Sequence, residues 1–391
     1  MIYKNFADKK LSQLGYGAMR LPTTEPRGPI DQVKARELIE HTYKNGINYF
    51  DTAYRYHGGE SETFVASVLN QYPRDTWYLA TKFPGHMMQY KDGKIIGAGY
   101  MESETITSPA QIFEDQLKRC NVDYFDFYLI HNLCETAWDF YTNKELGVIE
   151  YLIEQQKAGR IKHLGLSAHG RAETIDKFLA MPDWNGCFEF IQLQLNYMDW
   201  DLQDAKRKYE VAVKHGLSVI AMEPVRGGRL ASLNEEGNAM LKTARPNDSI
   251  VSWAFRFLQS LPNVDIILSG MTTMEQLSEN LELFSKDNPT SEQENQLLNK
   301  AIGTMLDFVP CTACDYCTEA CPVKLNIPKL ISMSNEIRFD NAFTMTFTLG
   351  AMKEDEMPSA CISCGKCNPL CPQEIDIPKV LEGFAEALKS R

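Results

Sequence analysis

The stretch 48–62, NYFDTAYRYHGGESE, decides how this chain is read. Ile47, Tyr49 and Phe50 form a short apolar run that stops at Asp51, as in a parallel strand buried on both faces, and a phenol, Tyr56, follows close behind. Parallel α/β proteins keep their chemistry just past the carboxyl ends of such strands, which makes Asp51 and Tyr56 candidate active-site residues. A phenol with a pKa of about 10 gives up a proton at neutral pH only if a cation stabilises the phenolate. The next two strand-like runs, WYLATKF (77–83) and YFDFYLIHN (124–132), carry Lys82 and His131 at their ends.

Outward from there, apolar runs alternate with amphipathic stretches. Strands are expected over Leu14–Leu21 and from Asn48, Trp77 and Phe125, then in HLGLSAHG (163–170), FIQLQLN (190–196), LSVIAMEP (217–224) and VDIILSG (264–270). Helices are expected from Ile30, Gly59, Pro109, Leu146, Ala172, Leu202, Asp248 and Thr273. Eight such units in about 285 residues is the period of an α/β fold of the (β/α)8 TIM-barrel type. Two long connections, 83–107 and 134–145, follow the ends bearing Lys82 and His131 and should overhang the barrel mouth. Their Met87, Met88, Tyr90, Tyr100, Trp138 and Tyr141 would line a substrate pocket or simply pack the loops down.

Asp51, Tyr56, Lys82 and His131 together resemble the Asp-Tyr-Lys-His tetrad of the aldo-keto reductases, and DTAYRYHGGESE resembles that family's strand-end signature, including Ser61-Glu62. The resemblance implies a nicotinamide cofactor, NADP or NAD, and a small carbonyl or alcohol substrate. It also implies a hairpin plugging the barrel bottom. Tyr56 would be the general acid or base, Lys82 would lower its pKa, Asp51 would position Lys82, and His131 would hydrogen-bond the carbonyl oxygen.

Cofactor contacts carried over from the family are Ser167 and Gln192 for the nicotinamide carboxamide. Arg226, Gly227, Gly228 and Arg229, with Gly270 and Thr272, would surround the phosphates at a helix amino terminus. There are departures. Ala168 and His169 replace the usual Asn after Ser167, Met222 stands where an aromatic ring commonly stacks, and Gln276 stands where Arg often binds a 2′-phosphate, although Asn280 is kept. NADP preference should therefore be weaker than in a typical relative.

The chain has 391 residues, enough for two domains, expected at 1–288 and 289–391, where the polar run SKDNPTSEQENQ marks the join. A formal charge of −12 with no basic stripe argues against nucleic acid or an anionic membrane as partner. With no apolar leader and no long apolar span, a cytoplasmic protein without membrane insertion is expected.

Eight of the eleven cysteines crowd between Cys311 and Cys371, which points to metal rather than disulfides. CTACDYCTEACP (311–322) and CISCGKCNPLCP (361–372) both read C-x2-C-x2-C-x3-C-P, the bacterial ferredoxin run whose fourth cysteine ligates the other run's cluster. That carry-over gives Cys311, Cys314, Cys317 and Cys371 to one 4Fe–4S cluster, and Cys361, Cys364, Cys367 and Cys321 to a second. Zinc would not require so tight a run. The residues between the runs and after them have helical spacing, so the tail resembles the mainly α-helical ferredoxin modules of redox enzymes. The Phe- and Met-rich stretch from Phe339 to Met352 is expected to fill the core between clusters, the alternative being a docking face.

A nicotinamide moves two electrons and an iron–sulfur cluster one. Flavin converts between them, and a TIM-barrel phosphate site can hold FMN. Three readings stay open: a cluster-coupled oxidoreductase serving a ferredoxin-like partner, an ordinary nicotinamide reductase with structural or sensing clusters, and a non-catalytic electron-transfer or docking module.

Overall fold

Eight parallel strands close into a barrel in chain order in the computed structural model: β1 (Leu14–Gly17), β2 (Tyr49–Asp51), β3 (Tyr78–Phe83), β4 (Phe125–Leu133), β5 (Ile161–Ala168), β6 (Phe190–Gln194), β7 (Ser218–Met222) and β8 (Val264–Ser269), with β8 pairing back to β1. Residues 1–391 are described apart from 27, 98–105, 306–308, 310, 312–315, 340–342 and 390–391, and for 338, 339, 343 and 344 the backbone alone. A helix follows each strand: α1 (Gln32–Lys44), α2 (Glu60–Leu69), α3 (Pro109–Cys120), α4 (Val148–Lys157), α5 (Ala172–Leu179), α6 (Ala205–Lys214), α7 (Ile250–Gln259) and α8 (Met274–Leu283). The strand over 14–21 stops at Gly17, and Ala18–Arg20 is a short 3-10 turn that carries the chain over the rim. The 83–107 connection folds its first part into a hairpin of Met88–Lys91 on Lys94–Gly97, and the 134–145 connection holds a helical turn at Trp138–Tyr141.

Side chains alternate across a strand, and this positions the site. Tyr49, Ala80, Phe127, Leu129, Phe190, Ile220, Ile266 and Leu268 point inward and make a buried cluster distinct from the shell between strands and helices. Two residues further along the same strands come Asp51, Lys82, His131, Gln192, Met222 and, just past β8, Gly270. One parity therefore fills the barrel and delivers six candidate residues to its open end.

The closed end is plugged by an antiparallel hairpin, Tyr3–Phe6 on Lys9–Ser12. Phe6 inserts with ring centroids 5.4 Å from Phe127, 5.0 Å from His163 and 5.9 Å from Phe190. The Phe190 ring lies so close to β5 that a Cβ on Gly165 would meet it at 2.4 Å, which explains the glycine inside HLGLSAHG.

After the barrel, the helix Glu292–Gly303 begins on a capping box, Ser291 with Glu294. It packs on the barrel through Leu298, Ala301 and Ile302, so the polar join near 289 is followed by one more helix of the barrel shell. The tail has its own core, in which helices Ile327–Phe339 and Ile377–Lys389 meet through Leu330, Ile331, Leu381 and Phe384. It is an internal repeat: Cys321-Pro322 leads through a left-handed Lys324 (φ 54°) to Ile327-Pro328, and Cys371-Pro372 through Glu374 (φ 53°) to Ile377-Pro378. In the Phe- and Met-rich stretch, Met345 is buried in this core, but Phe347 packs on the barrel instead. Among the described residues no helix is long and apolar enough to cross a membrane.

Removing the plug's anchor measures how far the interior layer depends on it. Phe6→Ala is expected to destabilise the folded chain by about 3–5 kcal/mol in denaturant unfolding, the usual cost of emptying a buried aromatic site. Iron content of the tail should be unchanged.

Candidate active site

Lys82 is wholly buried, and its ammonium is held by Asp51 Oδ1 at 2.7 Å and the Thr52 carbonyl at 2.6 Å. Its Nζ lies 5.0 Å from the centre of the Tyr56 ring, and the Tyr56 ring lies 6.1 Å from that of His131 at a steep 83°. The four residues expected at three strand ends are thus gathered at one end of the barrel.

Tyr56 is placed by a turn that no apolar pattern would specify: His57 (φ 50°), Gly58 (φ 63°) and Gly59 (φ 97°) all adopt left-handed backbone. Only the two glycines take that conformation without strain. His57 Nε2 accepts the backbone N–H of Leu21 at 3.1 Å, a bond that ties this turn to the β1 rim. The signature's last two residues anchor α2 beneath it. Ser61 Oγ donates to Ala18 O (3.2 Å) and lies 2.9 Å from Thr52 Oγ1, while buried Glu62 accepts from Thr81 Oγ1 (2.5 Å) and Gln116 Nε2 (2.6 Å).

Burial sets the electrostatics. It pushes the Asp51 carboxyl up against the pull of Lys82. It would lower Lys82, but Asp51 and Tyr56 together outweigh it, so the ammonium keeps its proton. Burial also raises Tyr56, and Lys82 only moderates that rise; the expected lowering by charge proximity is present but does not win in the free protein. His131 is driven well below its ordinary value by burial, and by neighbouring His86, Lys82 and His169. The His86 ring, on the loop after β3, stands 4.4 Å from that of His131 and is itself pushed down to about 4 by burial. An imidazole this depressed is neutral at physiological pH and can act as a hydrogen-bond donor.

Ser167 and Gln192 are direct neighbours in the β5–β6 register. Ser167 Oγ accepts the Asn132 N–H at 2.8 Å, leaving its hydroxyl hydrogen to donate elsewhere. Gln192 Nε2 lies 3.6 Å from Met222 Sδ, and its Oε1 is buried with no hydrogen-bond partner among the described residues. A free donor beside a free acceptor suits a primary carboxamide, which presents one of each.

Glu223, Arg226, Gly227 and Gly228 follow β7 with left-handed backbone. Arg226 is buried, and its Nε donates to Asp199 (2.9 Å to Oδ1). Asp199 also accepts from Gln194 (2.8 Å) and Asn196 (2.7 Å). Gly227, Gly228, Arg229, Gly270 and Thr272 are exposed around Arg20, whose guanidinium bonds Glu223 at 3.4 Å. Arg20 and Asp199 went unread in the sequence because their charged partners, Glu223 and Arg226, lie 203 and 27 residues further along the chain. Gln276 is committed to the cap of α8, accepting from Thr272 N (2.8 Å) and Thr273 N (3.3 Å), and Asn280 Nδ2 donates to Ser269 Oγ (3.0 Å).

Of the loop residues, Met88 and Tyr141 are buried packing, Tyr141 O–H donating to the carbonyls of His131 and Phe83, and Trp138 packs against Phe178. Met87 stays exposed, Tyr90 reaches Glu145, and Tyr100 lies outside the described residues.

In the tail, Cys311, Cys317 and Cys371 line one cavity with Pro328, Ile331 and Ile375. Cys321, Cys361, Cys364 and Cys367 line another with Leu325, Ile327 and Leu381. Cys314 lies outside the described residues. Each cavity thus mixes three cysteines of one run, where described, with the fourth of the other. Among the described residues no group of three or more His, Cys, Asp or Glu could hold a single metal ion. Thiols around an apolar void suit a multi-iron cluster, whose bulk keeps its ligands apart.

A parallel barrel with this lip and this tail defines an oxidoreductase architecture. The aldo/keto reductase family model matches residues 13–302, and that of a 4Fe-4S dicluster domain matches residues 310–375. The chain belongs to the aldo/keto reductase family and carries a C-terminal dicluster domain. It is 27% identical to a probable aldo-keto reductase 1 of Glycine max over 60% of this chain and 62% of that protein, so it spans less than two thirds of that relative. It is 25% identical to an NADH-specific methylglyoxal reductase of Escherichia coli over 70% of this chain and 90% of that one. The holo form of an aldo-keto reductase from Bacillus halodurans superposes with a TM-score of 0.59 at 25% identity, covering 77% of this chain and 96% of that one.

Asp199→Ala would leave the Arg226 guanidinium buried without its carboxylate. The expected loss is about 3–5 kcal/mol in denaturant unfolding, the cost of breaking a buried pair. A loss below about 1 kcal/mol, typical of exposed pairs, would show that the network is open to solvent.

Proposed function

We propose that the chain reduces a small carbonyl compound, or oxidises the matching alcohol, with a nicotinamide cofactor. The observation that carries this reading is the buried Lys82–Asp51 pair set beneath Tyr56 and beside a neutral His131. When bound, the cofactor would exchange a hydride with the substrate carbon, and 4Fe–4S clusters would exchange single electrons. Tyr56 gives its proton to the carbonyl oxygen, and the Lys82 ammonium stabilises the phenolate left behind. Asp51 holds Lys82 in place, and His131 donates a hydrogen bond to the same oxygen. Ser167 and Gln192 hold the carboxamide, and Gly227, Gly228, Arg229, Gly270 and Thr272 with Arg20 surround the phosphates. Cys311, Cys314, Cys317 and Cys371 hold one cluster, and Cys361, Cys364, Cys367 and Cys321 the other. A cytoplasmic setting suits the free thiols of Cys120, Cys134 and Cys187.

A second reading has its own support: exposed Cys364 and Ile362 (61%) on the second cavity's rim would give a ferredoxin-like partner access to that cluster. Electron exchange of that kind with a two-electron substrate needs a converter, and acid release of FMN from the purified protein would identify one.

Tyr56→Phe is expected to lower turnover by about 10² to 10⁴, the usual worth of a general acid, with iron content unchanged; near-parental aldehyde reduction would remove Tyr56 from the mechanism. The pH profile follows from the shifts. His131 stays neutral far below the ordinary imidazole value of about 6.5, and Tyr56 stays protonated past its usual value of about 10. Reductive kcat/KM should therefore be flat from about pH 6 to 9, and an acid limb near about 6.5 would contradict the assignment.

The crossed ligand sets are tested separately. Cys321→Ser, in the first run by sequence, is expected to abolish the cluster of the second run, lowering iron from about eight to about four per chain. Cys361→Ser should then remove the same cluster by electron paramagnetic resonance.

A further inference from the structure

The dicluster domain reaches the open end of the barrel. Its helix Ile327–Phe339 is pinned at the turn before α6: Ser332 Oγ donates to the Leu202 carbonyl at 3.3 Å, and Gln203 Nε2 donates to buried Glu336 at 2.9 Å. Glu336 also faces the Lys208 ammonium on α6. The next helix, Phe343–Ala351, divides its apolar side chains between two cores. Met345 is buried in the dicluster core with Leu349 and Met352 against it, whereas Phe347 packs on the barrel. The Phe347 ring centre lies 6.4 Å from that of His169, the planes 31° apart. One turn on, Gly350 faces the loop after β4, where a Cβ would stand 3.4 Å from the Thr136 methyl.

His169 follows β5 directly, and its backbone N–H bonds the Leu133 carbonyl of β4 at 3.2 Å. It is close enough to His131 to help keep that ring neutral, and burial pushes His169 itself down to about 3. Both His169 and Phe347 are only half-buried, and His169 stands immediately past the carboxyl end of β5, the end of the barrel that carries the candidate site.

We infer that Phe347, with His169 beneath it, walls the substrate site, so that the dicluster domain sets the size of carbonyl compound the barrel admits. The two rings of the wall carry no charge, one apolar and one a neutral imidazole, and their bulk favours a small aldehyde or ketone over one with a bulky ring opposite the carbonyl. This inference rests on the reductase reading for its substrate, but the wall itself can be tested without catalysis.

The test uses the full chain with its iron in place, as parent, Phe347→Ala and Phe347→Leu. Two quantities are measured: kcat/KM for methylglyoxal and for 4-phenylbenzaldehyde, and the rate at which diethyl pyrocarbonate modifies His169, mapped by mass spectrometry. Phe347→Ala should raise the ratio of bulky to small substrate by about ten-fold or more, as expected when a pocket gains room for a few carbons. It should also speed His169 modification several-fold, with Phe347→Leu, which keeps the core contact, intermediate in both. An unchanged ratio, or unchanged His169 modification, would overturn the inference. If parent and variants alike reduce no carbonyl, the reductase reading falls and His169 modification alone decides the wall.

Discussion

The active end of this barrel depends on keeping one ammonium charged where no water reaches it. Lys82 has no exposed surface, and an isolated cation there would shed its proton rather than bear the desolvation cost. Asp51 at 2.7 Å and the Thr52 carbonyl at 2.6 Å prevent that, and the remaining proton faces Tyr56. Such a pair is a weak source of stability, since apolar residues of similar volume often do as well or better. Its presence therefore asks for a chemical explanation, and a phenol that must lose a proton beside it supplies one. The barrel makes the geometry rigid: β2 and β3 pair with Asp51 opposite Ala80, so Asp51 and Lys82 are diagonal neighbours on the inner face.

The same inner face sorts the two halves of the site. The β2–β4 side carries the proton-handling groups, with His131 kept neutral so that it donates without competing with Lys82 for charge. The β5–β8 side carries hydrogen-bonding and small residues: Ser167, Gln192, Met222 and Gly270. Gln192 brings an acceptor that lacks a partner among the described residues, and a buried orphan of this kind costs stability unless a ligand satisfies it. The proposed division, proton transfer on one side and cofactor recognition on the other, would follow from one strand parity repeated around a closed sheet.

What the sequence revealed was whatever its local pattern encodes. Asp51, Lys82 and His131 were legible because each ends an apolar run, and the two cysteine runs because their spacing is rigid. Gly58 and Gly59 were read only as part of the strand-end signature, and the left-handed turn they make with His57 was not foreseen. Arg226 read as a free phosphate ligand, and nothing near it in the chain announces Asp199, its buried partner. Arg20 and Glu223 meet although they stand 203 residues apart in the sequence. The helix Glu292–Gly303 looked like tail because its surroundings are polar, yet Leu298, Ala301 and Ile302 sit at helical spacing and mark the face it lays on the barrel. Phe347 was read with its stretch as core between clusters yet packs on the barrel, since an apolar residue in an apolar helix does not say which of two cores it joins.

That last ambiguity ties the two domains together. The tail's core is small and includes Cys317 and Cys367 among its buried side chains. Each fourth cysteine lies in the other run's cavity, so both halves of the repeat contribute to the lining of each cavity. The barrel has its own closed sheet and plug. But the helix carrying Phe347 takes its other anchors, Met345 and Leu349, from the tail's core. The packing of the tail is therefore also the packing that sets Phe347 against His169, and it meets the barrel through two helices, Ile327–Phe339 by polar contacts and Phe343–Ala351 by apolar ones.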